Sequence, residues 1–103
     1  MLTSLQIKKV KKQLLNNSRL PLIFGALADA SRFQIVRLFI KHKGLCVTDV
    51  ARILNVTVPA ASQQLKVLEM SGIVEKERMG QEVCYTIKEN DRTVKEVLKL
   101  IKN

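Results

Sequence analysis

The sequence predicts a mainly α-helical domain with a small β-hairpin wing, the winged helix-turn-helix architecture. Three observations predict it. Two helical segments separated by a short turn lie in the middle of the chain, two strands around a glycine turn follow directly, and amphipathic helices flank them. The expected order is α-α-α-(β)-α-α-β-β-α. With 103 residues, 47% of them hydrophobic, residues 1–103 are expected to form a single domain with its own core.

Three helices are predicted before the centre of the chain. The first, at about 2–17, is amphipathic, with apolar residues near helical spacing and a lysine cluster on its other faces. A short second helix is predicted from about Leu22 to Asp29. Ser31 is the predicted N-cap of a third helix, which carries a wide apolar stripe and ends before Gly44.

The predicted helix-turn-helix follows a short extended piece at Leu45–Val47. Thr48 is the predicted cap of its first helix, which is expected to end at Asn55, a residue that tolerates a left-handed backbone. Thr57 is the predicted cap of the second helix. Pro59 fits the first turn of that helix, because a backbone N–H there would have no hydrogen-bond partner within the helix. The predicted core face of this second helix consists of Ala61, Leu65 and Leu68.

The chain is predicted to end in a hairpin and a last helix. The strands are expected at 73–78 and 83–88, on either side of a glycine turn. Asn90 is the predicted cap of an amphipathic helix that follows. Because apolar faces on both terminal helices exceed what one small core needs, we expect the helices at about 2–17 and 90–102 to form a homodimer interface.

Charge and hydropathy limit the classes of partner. Lys and Arg number 18 against 9 for Asp and Glu, and the formal charge of +9 favours a polyanionic partner, double-stranded DNA first. The longest apolar run, Leu20–Ala28, is short and contains Pro21 and Gly25, so we expect a soluble domain without a membrane partner. Two cysteines are too few for a disulfide framework, which favours a reducing cytoplasm.

The predicted architecture assigns a set of DNA-contacting residues. In a winged helix-turn-helix the second helix enters a major groove, and the hairpin reaches the backbone or the minor groove. Short side chains at Thr57, Ala60 and Ser62 let that helix approach base edges, and the amides of Gln63 and Gln64 suit the recognition of adenine. The basic side chains of the set would neutralise phosphates. The predicted set is Thr57, Pro59, Ala60, Ser62, Gln63, Gln64, Lys66, Lys76, Arg78 and Gln81.

Two segments carry motifs of a known family. Residues 27–38, LADASRFQIVRL, look like a Leu-Ala-Asp-x-x-Arg-x-x-Ile-Leu signature, and residues 58–74 resemble the recognition segment Pro-x-x-Ser-x-His-Leu-x-x-Leu-x-x-x-Gly-Leu-Val. With Gly80 in the wing and Tyr85 in its second strand, the chain resembles the arsenic-repressor (ArsR/SmtB) family of bacterial transcriptional regulators. The resemblance implies a homodimeric winged-helix repressor whose terminal helices form the dimer interface and whose inducer weakens operator binding.

The chain departs from this family pattern at two metal sites. Residues 45–50 resemble the Leu-Cys-Val-Cys-Asp-Leu thiolate box, but Thr48 replaces the second cysteine, and Ala51 stands where arsenic sensors can add a third. The last helix offers Asp91 and Glu96 without a histidine. A soft-metal site needs several convergent Cys or His ligands, so we expect no metal at these positions and no cofactor.

Two further departures affect recognition. Gln64 stands where most relatives carry His, and Gln63 occupies a position that is commonly basic, so the family's base preference does not transfer. The inducer is equally open. If the piece at 45–47 pairs with the second wing strand, Cys46 and Cys84 share one face of a small sheet and can form a disulfide under oxidation. The alternative is two separate half-buried thiols. Thiol oxidation, an unidentified ligand and no effector at all therefore remain as alternatives.

Other function classes fit the residues less well. An enzyme is not expected, because the single His42 and two distant cysteines cannot assemble a nucleophile, base and orienting group. A basic RNA-binding or ribosome-associated module is the main alternative, although such proteins usually stack bases on exposed aromatics. The aromatic residues, all expected in the core, are Phe24, Phe33, Phe39 and Tyr85. A membrane-surface or partner-binding role for the helix at 2–17 is a third alternative.

Overall fold

The computed structural model describes residues 1–15 and 18–102. Six helices and three short strands are present in this part of the chain, in the predicted order, and they form the predicted winged helix-turn-helix fold. The elements are α1 (Ser4–Leu14), α2 (Leu20–Leu27), α3 (Ala30–Lys41), β1 (Leu45–Cys46), α4 (Val47–Leu54), α5 (Val58–Met70), β2 (Val74–Met79), β3 (Glu82–Ile87) and α6 (Arg92–Ile101).

The first two helices agree with the prediction in type and differ at their ends. Helix α1 begins after Thr3, whose hydroxyl accepts the backbone N–H of Gln6 in a capping box. The predicted end of this helix at Asn17 lies outside the described residues. Helix α2 begins two residues before the predicted Leu22, because Pro21 fits the first turn of a helix.

The predicted N-cap of α3 at Ser31 is wrong. Asp29 caps the helix instead, its carboxylate Oδ2 accepting the backbone N–H of Arg32 at 3.0 Å. Ser31 therefore lies inside the first turn. The guanidinium of Arg32 donates to the carbonyl oxygen of Ala26 at 2.8 Å, a contact that ties the start of α3 to α2.

The predicted N-cap of α4 at Thr48 is also wrong. The extended segment covers only two residues, because Cys46 is the last residue that pairs with the wing, and Val47 is already helical. Cys46 is thus the N-cap, and its backbone N–H donates to the Asp49 carboxylate at 3.0 Å. Helix α4 ends as predicted at Asn55, which has a left-handed backbone with φ of 56°.

Helix α5 begins as predicted. Thr57 caps it by accepting the Ala60 N–H on its hydroxyl at 3.2 Å, and a proline occupies the first turn. The predicted core face of α5 is confirmed: Ala61, Leu65 and Leu68 are all buried.

The three strands form one antiparallel sheet in the order β1-β3-β2. The first extended piece pairs with the second wing strand, which meets the condition set out for a Cys46–Cys84 contact: Leu45 lies opposite Tyr85 and Cys46 opposite Cys84. The wing hairpin turns through Gly80 and Gln81, and Gly80 has a φ of 67°, which an L side chain would adopt only under strain.

The sheet and the helices from α2 onward enclose one hydrophobic core. Phe39 and Tyr85 lie in it as predicted, each 1% exposed. The prediction of a core position is wrong for Phe24 and Phe33, which are 50% and 36% exposed. Helices α2 and α3 each bury only one face, and these two phenyl groups lie outside it. The residues that these helices bury are Ile23, Ala26, Ile35, Val36 and Phe39.

Helix α6 packs on the core of its own chain. Its stripe of Val94, Val97 and Leu98 is buried, so most of the apolar face that we expected at a subunit interface is already covered. The predicted cap at Asn90 is wrong. Asp91 caps the helix, accepting the Val94 N–H on Oδ1 at 3.1 Å and the guanidinium of Arg19 on Oδ2 at 2.7 Å. The long-range contact with Arg19 fixes the carboxylate at this position.

Helix α1 differs from the other helices because none of its residues is buried. Leu5, Leu14 and Leu15 are 79%, 81% and 76% exposed. The molecule measures 59 × 28 × 25 Å, an elongated shape for so short a chain. The apolar face of α1 is therefore uncovered in the single chain. Among the described helices, none is long and apolar enough to cross a membrane.

The Arg19–Asp91 pair predicts a pH dependence of stability. The hydrogen bond from Arg19, with a second from the Val94 N–H, lowers the pKa of Asp91 to about 2. Because the folded pKa lies below that of the unfolded chain, the pair stabilises the fold above pH of about 4, and this contribution is lost as the pH falls towards 2. We expect Arg19→Gln to raise the Asp91 pKa. Between these pH values, the free energy of unfolding of the variant should therefore fall less steeply as the pH decreases.

Carboxyl NMR titration of Asp91, with chemical unfolding at several pH values, measures both effects. Lys99→Gln is the matched control, because it breaks only the exposed Lys99–Glu96 pair at 3.1 Å. An Asp91 carboxyl that titrates identically in the wild type and in Arg19→Gln would contradict the assignment.

Candidate nucleic-acid interface

The exposed side of α5 is determined by the three residues that hold the helix on the core. With Ala61, Leu65 and Leu68 facing inward at helical spacing, the intervening positions point outward. The outward face contains small, polar and basic side chains. Of the predicted DNA-contacting residues on this helix and its cap, the exposed ones are Thr57, Pro59, Ala60, Gln63 and Lys66, and the half-buried ones are Ser62 and Gln64.

A groove of about 420 Å³ lies between α5, the start of α4 and the wing. Ser62 and Lys66 line it from α5, and Lys76 and Gln81 line it from the wing. Four predicted residues from two different elements therefore converge on one concave surface. Cys46 also lines this groove, at the point where β1 passes into α4.

Gln64 points elsewhere. Its amide oxygen Oε1 accepts the guanidinium Nη1 of Arg32 at 3.0 Å, which directs the side chain towards α3. The amide of Gln63 is exposed on the neighbouring position. Base recognition by both amides stays a prediction, and Gln63 is the one whose amide is free to meet a base edge.

The wing separates its charges between two faces. In the register of β2 and β3, Lys76 pairs with Tyr85 and Arg78 pairs with Val83, so both cations belong to the face that turns towards the groove. Glu77, opposite Cys84, belongs to the other face. Lys76 therefore brings positive charge to the groove, which Glu82 also lines.

Tyr85 anchors the wing to the body of the domain. It lies on the central strand β3 and is 1% exposed. Burial raises the pKa of its phenol, and the carboxylate of Glu69 raises it further, so the ring stays neutral at physiological pH. The buried ring fixes β3 on the core, and β3 in turn pairs with β2.

The two cysteines form a disulfide between β1 and β3, with Cα atoms 3.7 Å apart. Of the two alternatives left open by the sequence, the structure has the one in which both cysteines share a face of the sheet, not the one with two separate thiols. Cys84 is 1% exposed, whereas Cys46 is half-buried. Glu82, which was not predicted at this site, has its carboxylate within 4.8 Å of both sulfur atoms. Its spacing of two residues from Cys84 on a strand was the available signal.

The two metal sites of the resembling family do not fit this chain. In the thiolate box Cys46 has Thr48 and Ala51 where further thiolates would be needed. On the last helix, Asp91 already accepts hydrogen bonds from Arg19 and from a backbone N–H, and Glu96 pairs with Lys99. These carboxylates are engaged in capping and ion pairing.

Comparison with known proteins agrees with this geometry. Residues 29–76 match the family described as "Bacterial regulatory protein, arsR family". The chain is also 30% identical, over 90% of its length, to a cadmium resistance transcriptional regulatory protein CadC homolog from Staphylococcus aureus, 77% of which is covered. This chain belongs to the arsR family. The resemblance inferred from the motifs is thereby confirmed.

Two further proteins are similar to this chain, one in sequence and one in structure. A transcriptional repressor SmtB homolog from Synechocystis sp. is 36% identical over 65% of this chain, which spans about half (50%) of that relative's length. A homodimeric winged helix-turn-helix DNA-binding domain from Mycobacterium bovis, determined by NMR, superposes with a TM-score of 0.71 at 27% identity. That match covers 88% of this chain and 80% of the other. The solved relative has the same fold.

Proposed function

We propose that this arsR-family chain is a DNA-binding transcriptional repressor. The observation that carries the proposal is the groove in which Ser62 and Lys66 of α5 meet Lys76 and Gln81 of the wing. An exposed helix with short side chains can enter a major groove, and flanking cations can contact the phosphates on either side. The proposed partner is double-stranded DNA, and the proposed location is the cytoplasm.

We propose a homodimer built from one domain per chain. The uncovered apolar face of α1 supports this, since Leu5 and Leu14 would be costly to leave in water. On α6 the buried stripe serves the chain's own core, but Leu100 is 76% exposed and extends the apolar surface available to a second copy. A two-fold dimer would bind a pseudo-palindromic site with half-sites about one helical turn apart.

The RNA-binding alternative has little support in the groove. Phe24 and Phe33 are exposed, but neither lines it. Among the described residues that do line it, the aromatic one is Tyr85, which is 1% exposed and has no free face for a base. Stacking on aromatic side chains, the usual basis of single-stranded recognition, therefore has no platform at this surface.

Selection of bound duplexes from a random pool tests the proposal, and two variants separate its components. We expect Gln63→Ala to change the selected sequence at one position of each half-site, because its amide is free to read a base. We expect Lys66→Ala to weaken binding uniformly across sequences, because a phosphate contact carries no base information. The expected cost of losing the base contact is about 1–3 kcal/mol at the specified position.

Gln64→Ala is the matched comparison for Gln63→Ala, because the amide oxygen of Gln64 already accepts a hydrogen bond from Arg32. An unchanged selected sequence in Gln63→Ala, or a pool without any enriched motif in the wild type, contradicts the proposed base recognition. Parallel selection from a single-stranded RNA pool examines the alternative function directly.

We propose thiol oxidation as the inducing signal. The disulfide joins Cys46, the N-cap of α4, to the central wing strand, and Cys46 lines the groove itself. Making or breaking this bond therefore acts on the relative placement of the helix-turn-helix and the wing. We expect the oxidised protein to bind its selected duplex about 5- to 150-fold more weakly than the reduced protein, the range of typical allosteric coupling.

Fluorescence anisotropy with the protein poised by oxidant or by a phosphine reductant measures this difference. Cys46→Ser is the control, and its affinity should not respond to either reagent. Equal affinities of oxidised and reduced wild type would exclude the redox signal while leaving the DNA-binding proposal intact.

A further inference from the structure

One face of the wing sheet gathers donors that suit a soft cation. Cys46, Cys84 and Glu82 bring two sulfur atoms and a carboxylate to within 4.8 Å of one another. Strand alternation explains the set, because Glu82 and Cys84 are two residues apart on β3 and Cys46 is the register partner of Cys84 on β1. We call these three residues the wing donor cluster.

The charge around the wing donor cluster is unusual for this chain. The molecule has a formal charge of +9 and only 9 acidic residues, yet three of them lie on this side of the hairpin. Glu77 is the register partner of Cys84 on β2, and Glu75 follows two residues away opposite Thr86. The cations Lys76 and Arg78 alternate with these residues along β2, although Lys76 lines the same groove as Cys46 and Glu82. The carboxylates of Glu75, Glu77 and Glu82 thus supply negative charge for a bound cation on this side of the wing.

The backbone adds a further favourable feature. Cys46 is the N-cap of α4, and the positive end of a helix dipole stabilises an anionic sulfur at that position. The extent of burial differs among the donors: Cys84 is buried, Cys46 is half-buried and Glu82 is exposed. A cation could therefore reach the two sulfurs from the exposed side, where Glu82 lies.

We propose that, when its disulfide is reduced, the wing donor cluster binds a thiophilic divalent cation of the Zn²⁺ or Cd²⁺ class. Two thiolates and one carboxylate are three ligands of a tetrahedral site, and water or the Glu77 carboxylate can supply the fourth. Metal–sulfur distances of about 2.3 Å require the sulfurs to separate from their bonded positions, which side-chain rotation permits. This site shares only Cys46 with the thiolate box, so it is distinct from the two family sites that do not fit.

The cation and the disulfide exclude each other. Reduction of the Cys46–Cys84 bond adds two electrons and two protons and gives two thiols. Binding of the cation then releases both thiol protons and transfers no electrons. A bound metal accordingly holds both sulfurs as thiolates, and an oxidant must compete with it before the disulfide can form again.

Titration of Cd²⁺ into the phosphine-reduced full chain tests the proposal. We expect one Cd²⁺ per chain and an ultraviolet thiolate-to-metal charge-transfer band. Loss of the band is expected in Cys46→Ser and Cys84→Ser. Glu82→Gln should weaken the affinity by about tenfold or more, measured by competition with a chromophoric chelator. The matched control is Glu75→Gln, which removes the same charge from the same face outside the cluster and should change the affinity by no more than about twofold.

Two outcomes would overturn the proposal. One is a reduced wild type without the charge-transfer band, and the other is an equal affinity in Glu82→Gln and Glu75→Gln, which would indicate general electrostatic attraction. Because Cys84 is buried and its serine variant could fold poorly, the exposed Glu82→Gln variant is decisive. A second readout follows thiol loss under diamide, which Cd²⁺ should slow in the wild type. No DNA enters these measurements, so failure of the repressor proposal would leave their result unchanged.

Discussion

Affinity for the selected duplex is expected to fall about 10³-fold between 50 and 200 mM salt, if the protein is a dimer that contacts phosphates through Lys66, Lys76 and Arg78 of each chain. All three side chains are exposed, and the first two line the groove. About six neutralised phosphates displace enough condensed counterions to give a slope near −5 in a plot of log affinity against log salt.

Anisotropy titrations over a series of salt concentrations measure this slope. Each single alanine variant removes two contacts from the dimer, so we expect the slope to decrease in magnitude by about two. Lys99→Ala on α6 is the matched control, because its ammonium pairs with Glu96 and it does not line the groove. A wild-type slope near zero would contradict phosphate binding at this surface.

Reduction of the Cys46–Cys84 disulfide is expected to lower the free energy of unfolding by about 4 kcal/mol. The two cysteines are 38 residues apart, and a cross-link over a loop of that length removes a large part of the conformational entropy of the unfolded chain. The loop contains α4, α5 and β2, so the bond constrains the helix-turn-helix and the wing together.

Urea unfolding of the same preparation, with and without a phosphine reductant, measures the difference. Cys46→Ser supplies the control: it should unfold at one midpoint in both conditions, close to that of the reduced wild type. Coincident midpoints for the oxidised and reduced wild type would contradict the prediction. Because this measurement requires neither DNA nor metal, it examines the cross-link separately from its proposed signalling role.

The central part of the fold could be predicted because its signals are local. Thr57 has a side chain that can cap α5 directly before Pro59, and Asn55 is a residue that tolerates the left-handed stop of α4. The inward positions of α5 and the glycine of the wing turn likewise follow from spacing and backbone sterics. Each of these features depends on a few neighbouring residues, so tertiary contacts were not needed to predict them.

The three wrong caps show where local signals compete. Ser31, Thr48 and Asn90 are acceptable N-caps by residue type, but Asp29, Cys46 and Asp91 stand one or two residues earlier or later and cap instead. Contacts with other elements accompany each choice. Arg32 contacts Ala26 and Gln64, β1 pairs with β3, and Arg19 contacts Asp91.

In the candidate site, too, local features were predicted from the sequence and long-range contacts were not. Residue type and helical spacing predicted which side chains α5 presents outward, and Gln63 and Lys66 are exposed as expected. Spacing did not predict that Gln64 turns to Arg32, because that contact joins residues 32 positions apart. The exposure of Phe24 and Phe33 was missed for a related reason: hydropathy identifies apolar residues but not which face of a helix finds a partner.

The sequence by itself determined the order of the elements, the inward face of the recognition helix, the family and the surplus of positive charge, since all of these follow from residue type and short-range spacing. Only the tertiary structure decided that Cys46 meets Cys84 with Glu82 beside them, and that α6 covers its own core while α1 stays uncovered. The physical reason is that strand register and helix packing arise from many weak long-range contacts, and these are not encoded within any short segment of the chain.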